Sequence, residues 1–544
     1  MQLINQHTKR IMEGCKERAL DAGLSFDKET LEYFVTNMDM LDLSPKNMIP
    51  TLYDYWLQDI QGLRGKGEYE AYPNNPYETV INTRPVISFY NDNNPDWLNV
   101  MIFYHVLGHI DFFQNNKFFK NTWDYDFKEK ALTEKRIIAK LRAKKGRVVD
   151  YILEFAKSID NIVGFFDSLI HEDELSQLML PKKIDYYFNV FLQKEKNIGM
   201  IKFLEELETY NEVEDGGRKE DDFLLSILNR YPEFEEFYKN YKKDKQKVAQ
   251  DLLQFILEES PFLNKDDNKW MKSVVDIMRD TALYFAPMIR TKTMNEGWAS
   301  YWHEKLFMND DRILGHEVGF AKINAKVTSI SKVGLNPYAI GWRLFMFVEE
   351  MADKGRISYD FRKLKNIDKR ENYDKKNGSG KDFIFHVREN YSDLTFLNSF
   401  IDQDFVDKHK LMVVGQRINP QKGTREYYVK SKKAKDYKEM IISSLYHPPY
   451  IQYSKVNGEL ILNHTFEGKE IYREYIPAVL IGLEYLWGNT VKLETTEYDW
   501  EEMQKKAKDG KSIEDIKKED PVLQKVRYSV KNKKITKEKL IMDN

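Results

Sequence analysis

Tyr104-His105-Val106-Leu107-Gly108-His109-Ile110-Asp111-Phe112-Phe113-Gln114-Asn115-Asn116 is the stretch from which the rest of the chain can be read. Just upstream, Asn93 or Asn94 can cap a helix, Pro95 suits its first position, and Asp96 favours its positive end. The spacing predicts a helix on which His105 and His109 stand one turn apart, about 40° around the axis at about 3.6 residues per turn. Two imidazoles so placed can close on one metal ion, the arrangement H-E-x-x-H enzymes use. Such a site needs a third protein ligand and usually keeps an open position. The best source lies far downstream, in Asn295-Glu296-Gly297-Trp298-Ala299-Ser300-Tyr301-Trp302-His303. A fold that brings these two helices face to face is the expectation.

On the second helix Glu296 and His303 are seven positions apart, so they share a face but stand about 10 Å apart along the axis. Glu296 is within a turn of Gly297 and Ala299, small residues that let another helix approach. Glu296 is therefore the expected third ligand, and His303 a supporting, substrate-side or second-metal group. Asp111 sits about 200° around from His109 and should point away from the ion, into a supporting or capping contact. The residue after His105 is Val106, where H-E-x-x-H enzymes place their general base. A proton acceptor must come from elsewhere; Glu78, Glu172 and His303 are the candidate catalytic residues, and the sequence does not choose among them. Imidazole plus carboxylate suits zinc best. The competing readings are packed core histidines for the H-x-x-x-H pair and a charged surface turn for His171-Glu172-Asp173-Glu174.

Composition narrows the rest. Lys+Arg 84 nearly balance Asp+Glu 87 in 544 residues, and a net charge of -3 supplies no global field for nucleic acid or an anionic membrane. The basic residues between Lys135 and Arg147 interleave with apolar ones and read as the wet side of an amphipathic helix. Cys15 is the single cysteine, which rules out an intrachain disulfide or a thiolate cage and fits a reducing compartment. Met1 to Arg10 lacks the apolar core of a secretion signal, and no run approaches the ~18 apolar residues a bilayer span requires. These features predict a cytoplasmic protein without an integral membrane segment and without a nucleic-acid partner.

Taken in order, residues 1–45 read as two helices, the second capped by Ser25 or Asp27. Tyr77 to Phe89 turns β-like, and Asn82 and Pro85 predict an edge or broken strand. Helical spacing dominates from Thr133 to Gly355, interrupted near 211–222 and at Ser260-Pro261. Beyond Phe383 the period changes: a hairpin at 410–429, a helix at 433–445, strands at 451–453 and 459–462, a helix at 471–486 and a strand at 491–495. The expected fold is mainly α. A large helical domain over 1–395 carries a gluzincin-like metal-site helix pair, a small α+β domain follows over 396–497, and a charged tail over 498–544 begins from Trp500 as a helix and then runs into disorder.

Several long motifs then agree in order with one family. H-V-L-G-H-I-D-F-F-Q-N-N at 105–116, Y-E-T-V-I-N-T-R-P at 77–85, T-K-T-M-N-E-G-W-A-S-Y-W-H at 291–303, N-P-Y-A-I-G-W at 336–342, V-R-E-N-Y-S-D-L-T-F at 387–396 and W-G-N-T-V-K-L-E-T at 487–495 resemble the stage V sporulation protein R (SpoVR) family. The resemblance covers about 40 to 495. It implies a helical amino-terminal domain with a smaller α+β domain, a cytosolic setting and a link to spore cortex formation. In bacteria that do not sporulate it implies a stress or starvation role beside a serine-kinase and a von Willebrand-type partner protein. The E-G-W-A segment also looks like the third-ligand helix of zinc carboxypeptidase-like families. This chain departs from the family pattern at Gln114, at Tyr55 in place of a histidine, and at Arg279-Asp280-Thr281 in place of R-E-E.

Two functions follow as expectations. One is a metal-dependent hydrolase-like protein with His105, His109 and Glu296 on one ion, acting on an amide in a peptide or peptidoglycan precursor. The other is a non-enzymatic scaffold in spore or stress signalling, in which the same residues hold a structural ion or none.

Overall fold

The computed structural model describes residues 2–36, 39, 78–122, 127–160, 182–188, 191–192, 196, 206, 219–244, 251–330, 336–358, 361, 364, 366–418, 424–445, 449, 451–466, 470–507 and 522–540. These residues are mostly helical. They group into two compact units, one formed by Met1–Asp150 with Asp280–His447, the other by Tyr151–Arg279 with Pro448–Asn544.

The first unit is built around one helix that is buried on every side. After strand β1 (Gln2–Leu3), helix α1 (Gln6–Asp21), and strands β2 (Thr30–Val35), β3 (Glu78–Ile81) and β4 (Val86–Asn91) comes α2, Asp96–Asn115. All its residues from Leu98 to Phe113 are buried, as expected for a helix that is apolar all round. The structure places Pro95 at the cap position with no side-chain cap bond, one residue earlier than expected, and neither Asn93 nor Asn94 takes that position. The strands form one sheet in the order β1-β2-β4-β3, with β2 parallel to β4 and β3 antiparallel to it at the edge. The break predicted at Asn82 and Pro85 is there, between β3 and β4. The second helix expected near Ser25 or Asp27 is instead β2. The Ser25 and Asp27 amides donate to Asp111 and Gln114 of α2, both at 2.7 Å, and this fixes the turn into the strand.

Against α2 lies α3, Lys292–Phe307, and against α3 lies α5, Pro337–Asp353, with α4 (Glu317–Val327) between them in sequence. Small residues set these spacings. A Cβ on Gly108 would stand 2.8 Å from the Ala299 Cα, and a Cβ on Gly297 would overlap the Gly341 backbone. The approach expected at Gly297 and Ala299 is therefore made, by α2 on one side and α5 on the other. The free amides at the start of α3 are satisfied from elsewhere in the chain: Thr293 N and Met294 N both donate to the Asp393 carboxylate at 2.8 Å. Asp393 opens α7 (Asp393–Phe400), which follows α6 (Gly380–Asn390) and carries a Ser392–Thr395 capping box.

The second unit contains a five-stranded sheet in the order β11-β10-β9-β8-β7. Here β7 is Ile451–Val456, β8 Glu459–His464, β9 Val491–Tyr498, β10 Leu523–Lys531 and β11 Lys534–Lys539, while β5 (Val413–Ile418) and β6 (Arg425–Ser431) form a separate hairpin in the first unit. Strands β8 and β9 run parallel, joined through α8 (Ile476–Trp487), and the other pairs are antiparallel. Asn457-Gly458 and Asn532-Lys533 make the two tight hairpins with positive φ at both residues.

Two features differ from the expected layout. Residues 396–447 belong with the first unit, because Phe396, Leu397, Ile401, Phe405, Val406, Leu411, Tyr437 and Ile441 join the apolar core that surrounds α2. The helix expected from Trp500 is there, Trp500–Ala507, but where disorder was expected beyond it Leu523–Lys531 and Lys534–Lys539 are two strands of the sheet. Val526, Tyr528 and Val530 alternate inward on β10, and the lysines on the opposite face hide that period in a composition count.

Candidate metal centre

The side chains named from the sequence converge between α2, α3 and β3. His105 and His109 stand edge to face with ring centroids 4.6 Å apart. Glu296 of α3 brings Oε2 to 3.8 Å from His105 Nε2 and 3.6 Å from His109 Nε2. Glu78, the first residue of β3, brings Oε1 to 3.8 Å from His105 Nε2. One ligand atom each from Glu78, His105 and His109 can be chosen so that all lie within 4.8 Å of one another, a group able to hold a metal ion. The histidines are buried, while the Glu78 and Glu296 side chains keep 18% and 17% of their exposure.

The opposite ring atoms are held from behind. His109 Nδ1 is 2.9 Å from Asn295 Oδ1, and His105 Nδ1 is 3.0 Å from His303 Nδ1, whose Nε2 in turn meets Asn324 Oδ1 at 3.1 Å. His303 and Glu296 thus both touch His105, at its two different nitrogens. Asp111 faces away from the cluster, as its position on the helix predicts. It accepts from Ser25 N and from Trp298 Nε1 at 2.8 Å and pairs with Arg388 at 3.3 Å. Tyr338 stacks on His105 with centroids 6.1 Å apart; nothing local in N-P-Y-A-I-G-W marks that contact. Glu172 and Tyr55 lie outside the described residues.

The family described as SpoVR like protein matches residues 2–447. The chain belongs to the SpoVR family. All the residues of the cluster and of its backing lie within the matched stretch. An Escherichia coli (strain K12) relative in this SpoVR family, described as uncharacterized protein YcgB, is 21% identical over 330 residues, 58% of this chain and 59% of that protein. The alignment therefore spans less than two thirds of that relative's length. No solved structure matches.

Within this SpoVR-family cluster the charges pull in a consistent direction. Burial together with the neighbouring His105 drives His109 down to about 4 and His303 down to about 3, so both rings are neutral at pH 7. Burial pulls His105 down as well, but Glu296 and Glu78 outweigh it and hold the ring above its ordinary value. Glu296 responds in kind: burial raises it, and the two imidazoles bring it below the usual carboxylate range. Glu78 is raised by burial. The half-buried Tyr338 phenol, beside Glu296 and Glu78, is raised well above its ordinary value and stays protonated. Glu296 Oε2 is buried and accepts no hydrogen bond among the described residues.

Proposed function

We propose that this SpoVR-family chain is a metal-dependent, hydrolase-like protein. In this reading His105, His109 and Glu296 hold one divalent ion, zinc by preference, and the substrate is an amide of a peptide or peptidoglycan precursor. The supporting observation is the orphaned Glu296 Oε2, 3.6 and 3.8 Å from two imidazole nitrogens. Those gaps are too long for hydrogen bonds, which run about 2.7–3.2 Å. They come near the edge, about 3.4 Å, of a tetrahedron whose donors stand about 2.0–2.1 Å from zinc. A buried carboxylate oxygen without a donor costs roughly 1–3 kcal/mol or more, and a cation between these atoms removes that cost.

A bound zinc ion would polarise the amide carbonyl and acidify a water. Glu78 takes the proton from the attacking water: its carboxyl is raised by burial, and its Oε1 stands 3.8 Å from His105 Nε2, beside the ion's place. His303 has both ring nitrogens engaged behind His105, so in this reading it positions His105 and does not act on substrate. Family membership supports a cytoplasmic role in sporulation or stress response, with serine-kinase and von Willebrand-type partners.

The second reading is a scaffold with a structural ion. Val106 in place of the usual glutamate favours it, because Glu78 then closes the coordination as a fourth ligand. Elemental analysis of the purified chain with its Glu78→Gln, His105→Ala and Glu296→Ala variants separates the two. About one metal per chain is expected, lost in His105→Ala and Glu296→Ala with the fold intact. Glu78→Gln should keep the metal and lose about 10²–10⁴-fold in amide turnover. Metal lost together with Glu78, or with the fold, assigns the scaffold; a metal-free wild type overturns both.

A further inference from the structure

A chain of polar contacts leads away from the cluster through His105, His303, Asn324 and Glu304, and donor chemistry gives it a direction. Asn324 of α4 sets Nδ2 3.3 Å from Glu304 Oε2, and a carboxylate only accepts. That turns the Asn324 amide oxygen toward His303 Nε2 at 3.1 Å. An amide oxygen also only accepts, so His303 carries its hydrogen on Nε2. His303 is 1% exposed and packs its ring edge-to-face on Phe320, an environment that keeps an imidazole neutral. Its Nδ1 is then a bare acceptor. The 3.0 Å gap to His105 Nδ1 holds one hydrogen, and that hydrogen belongs to His105.

We propose that the Glu304–Asn324–His303 chain fixes the hydrogen of His105 on Nδ1 and so reserves Nε2, the nitrogen facing Glu78 and Glu296, for a cation. His303 and Asn324 are positioning residues of the metal centre. The opposite order would put a hydrogen on His105 Nε2 and bar that nitrogen from a metal. Asn295 Oδ1 does the same for His109 from the neighbouring position to Glu296. Hydrogen-bonded partners behind a ligating histidine fix its ring and tautomer and typically change metal affinity about 10–100-fold. The order of hydrogens stands on the contacts alone; its effect on affinity rests on the metal reading of the site.

The test is nitrogen NMR on the full-length, metal-free protein with labelled histidine, followed by zinc titration against a chromophoric chelator. The expected spectrum has hydrogen on His105 Nδ1 and His303 Nε2 and a bare His303 Nδ1. A bare His105 Nδ1 overturns the proposal in the wild type, before any variant is made. Asn324→Leu should scramble the order and weaken zinc about 10–100-fold. Asn324→Leu with wild-type order and affinity overturns the proposal. If it does not fold, His303→Gln, whose amide oxygen can still accept from His105 Nδ1, must preserve the His105 signal. A wild type that shows the order and binds no zinc overturns the metal reading and upholds the order.

Discussion

Single residues in this fold act mainly through what burial does to their ionisation. Asp393 accepts the Thr293 and Met294 amides, yet burial pushes its carboxyl up to about 7, against about 3.9 in an unfolded chain. The folded state therefore holds that proton more tightly, and as pH rises from about 4 through 7 the native state loses stability relative to the unfolded one. In chemical denaturation at pH 5 and pH 8, the stability of wild type minus that of Asp393→Asn should shift toward the variant as pH rises. A difference that does not change with pH refutes the raised carboxyl. Cys15 gives a simpler case: burial raises its thiol to about 11 although the Arg312 guanidinium, 3.2 Å from Sγ, pulls the other way. The native protein should take up almost no iodoacetamide at pH 8 and label fully once unfolded; mass spectrometry reads both. The sequence showed a lone cysteine, and neither Asp310 nor Arg312 beside it was legible, since almost 300 residues separate them in the chain.

At the scale of elements, the metal-side geometry depends on how closely α2, α3 and α5 pack. A Cβ on Gly341 would overlap the Thr293 carbonyl oxygen, so the axes must part to admit it. Gly341→Ala should cost about 1–3 kcal/mol, read as a lowered denaturation midpoint, and should lower zinc occupancy because Glu296 moves with α3. Trp298→Phe tests a different contact: it removes the donor to Asp111 Oδ2, whose side chain is wholly buried, and should cost about 1–3 kcal/mol. The pairing of His105 with His109, the place of Glu296 and the outward turn of Asp111 were legible because a helix repeats every about 3.6 residues. The small residues around Glu296 were legible too. Their partner Gly341 was not, since nothing local marks which distant glycine faces which.

For the whole molecule, the two units are each assembled from two separated lengths of chain. In the second unit the Ser260 hydroxyl donates to the Leu486 carbonyl at 2.7 Å, and Phe155 packs on Gly482. A chain ended at His447 keeps 151–279 without the strands and helix it packs on. Limited proteolysis of that truncation should cut within 151–279 rapidly and leave 280–447 protected; equal protection of both refutes the grouping. The period change beyond Phe383 was visible in the sequence, whereas the assignment of 396–447 to the first core depends on eight apolar side chains meeting residues hundreds of positions away.

The sequence by itself determined several elements and the faces they present: the histidine pair, the Glu296 helix, the broken strand before them and the first three strands, β7, β8 and β9, of the carboxy-terminal sheet. Those features follow from periodicity and backbone preference, which act over a few residues. Only the tertiary structure decided that Glu78 joins the cluster, that His303 stands behind His105, and that the lysine-rich end of the chain is sheet. Each of these depends on burial and on pairing across long separations, where the free energy comes from neighbours that no local window contains.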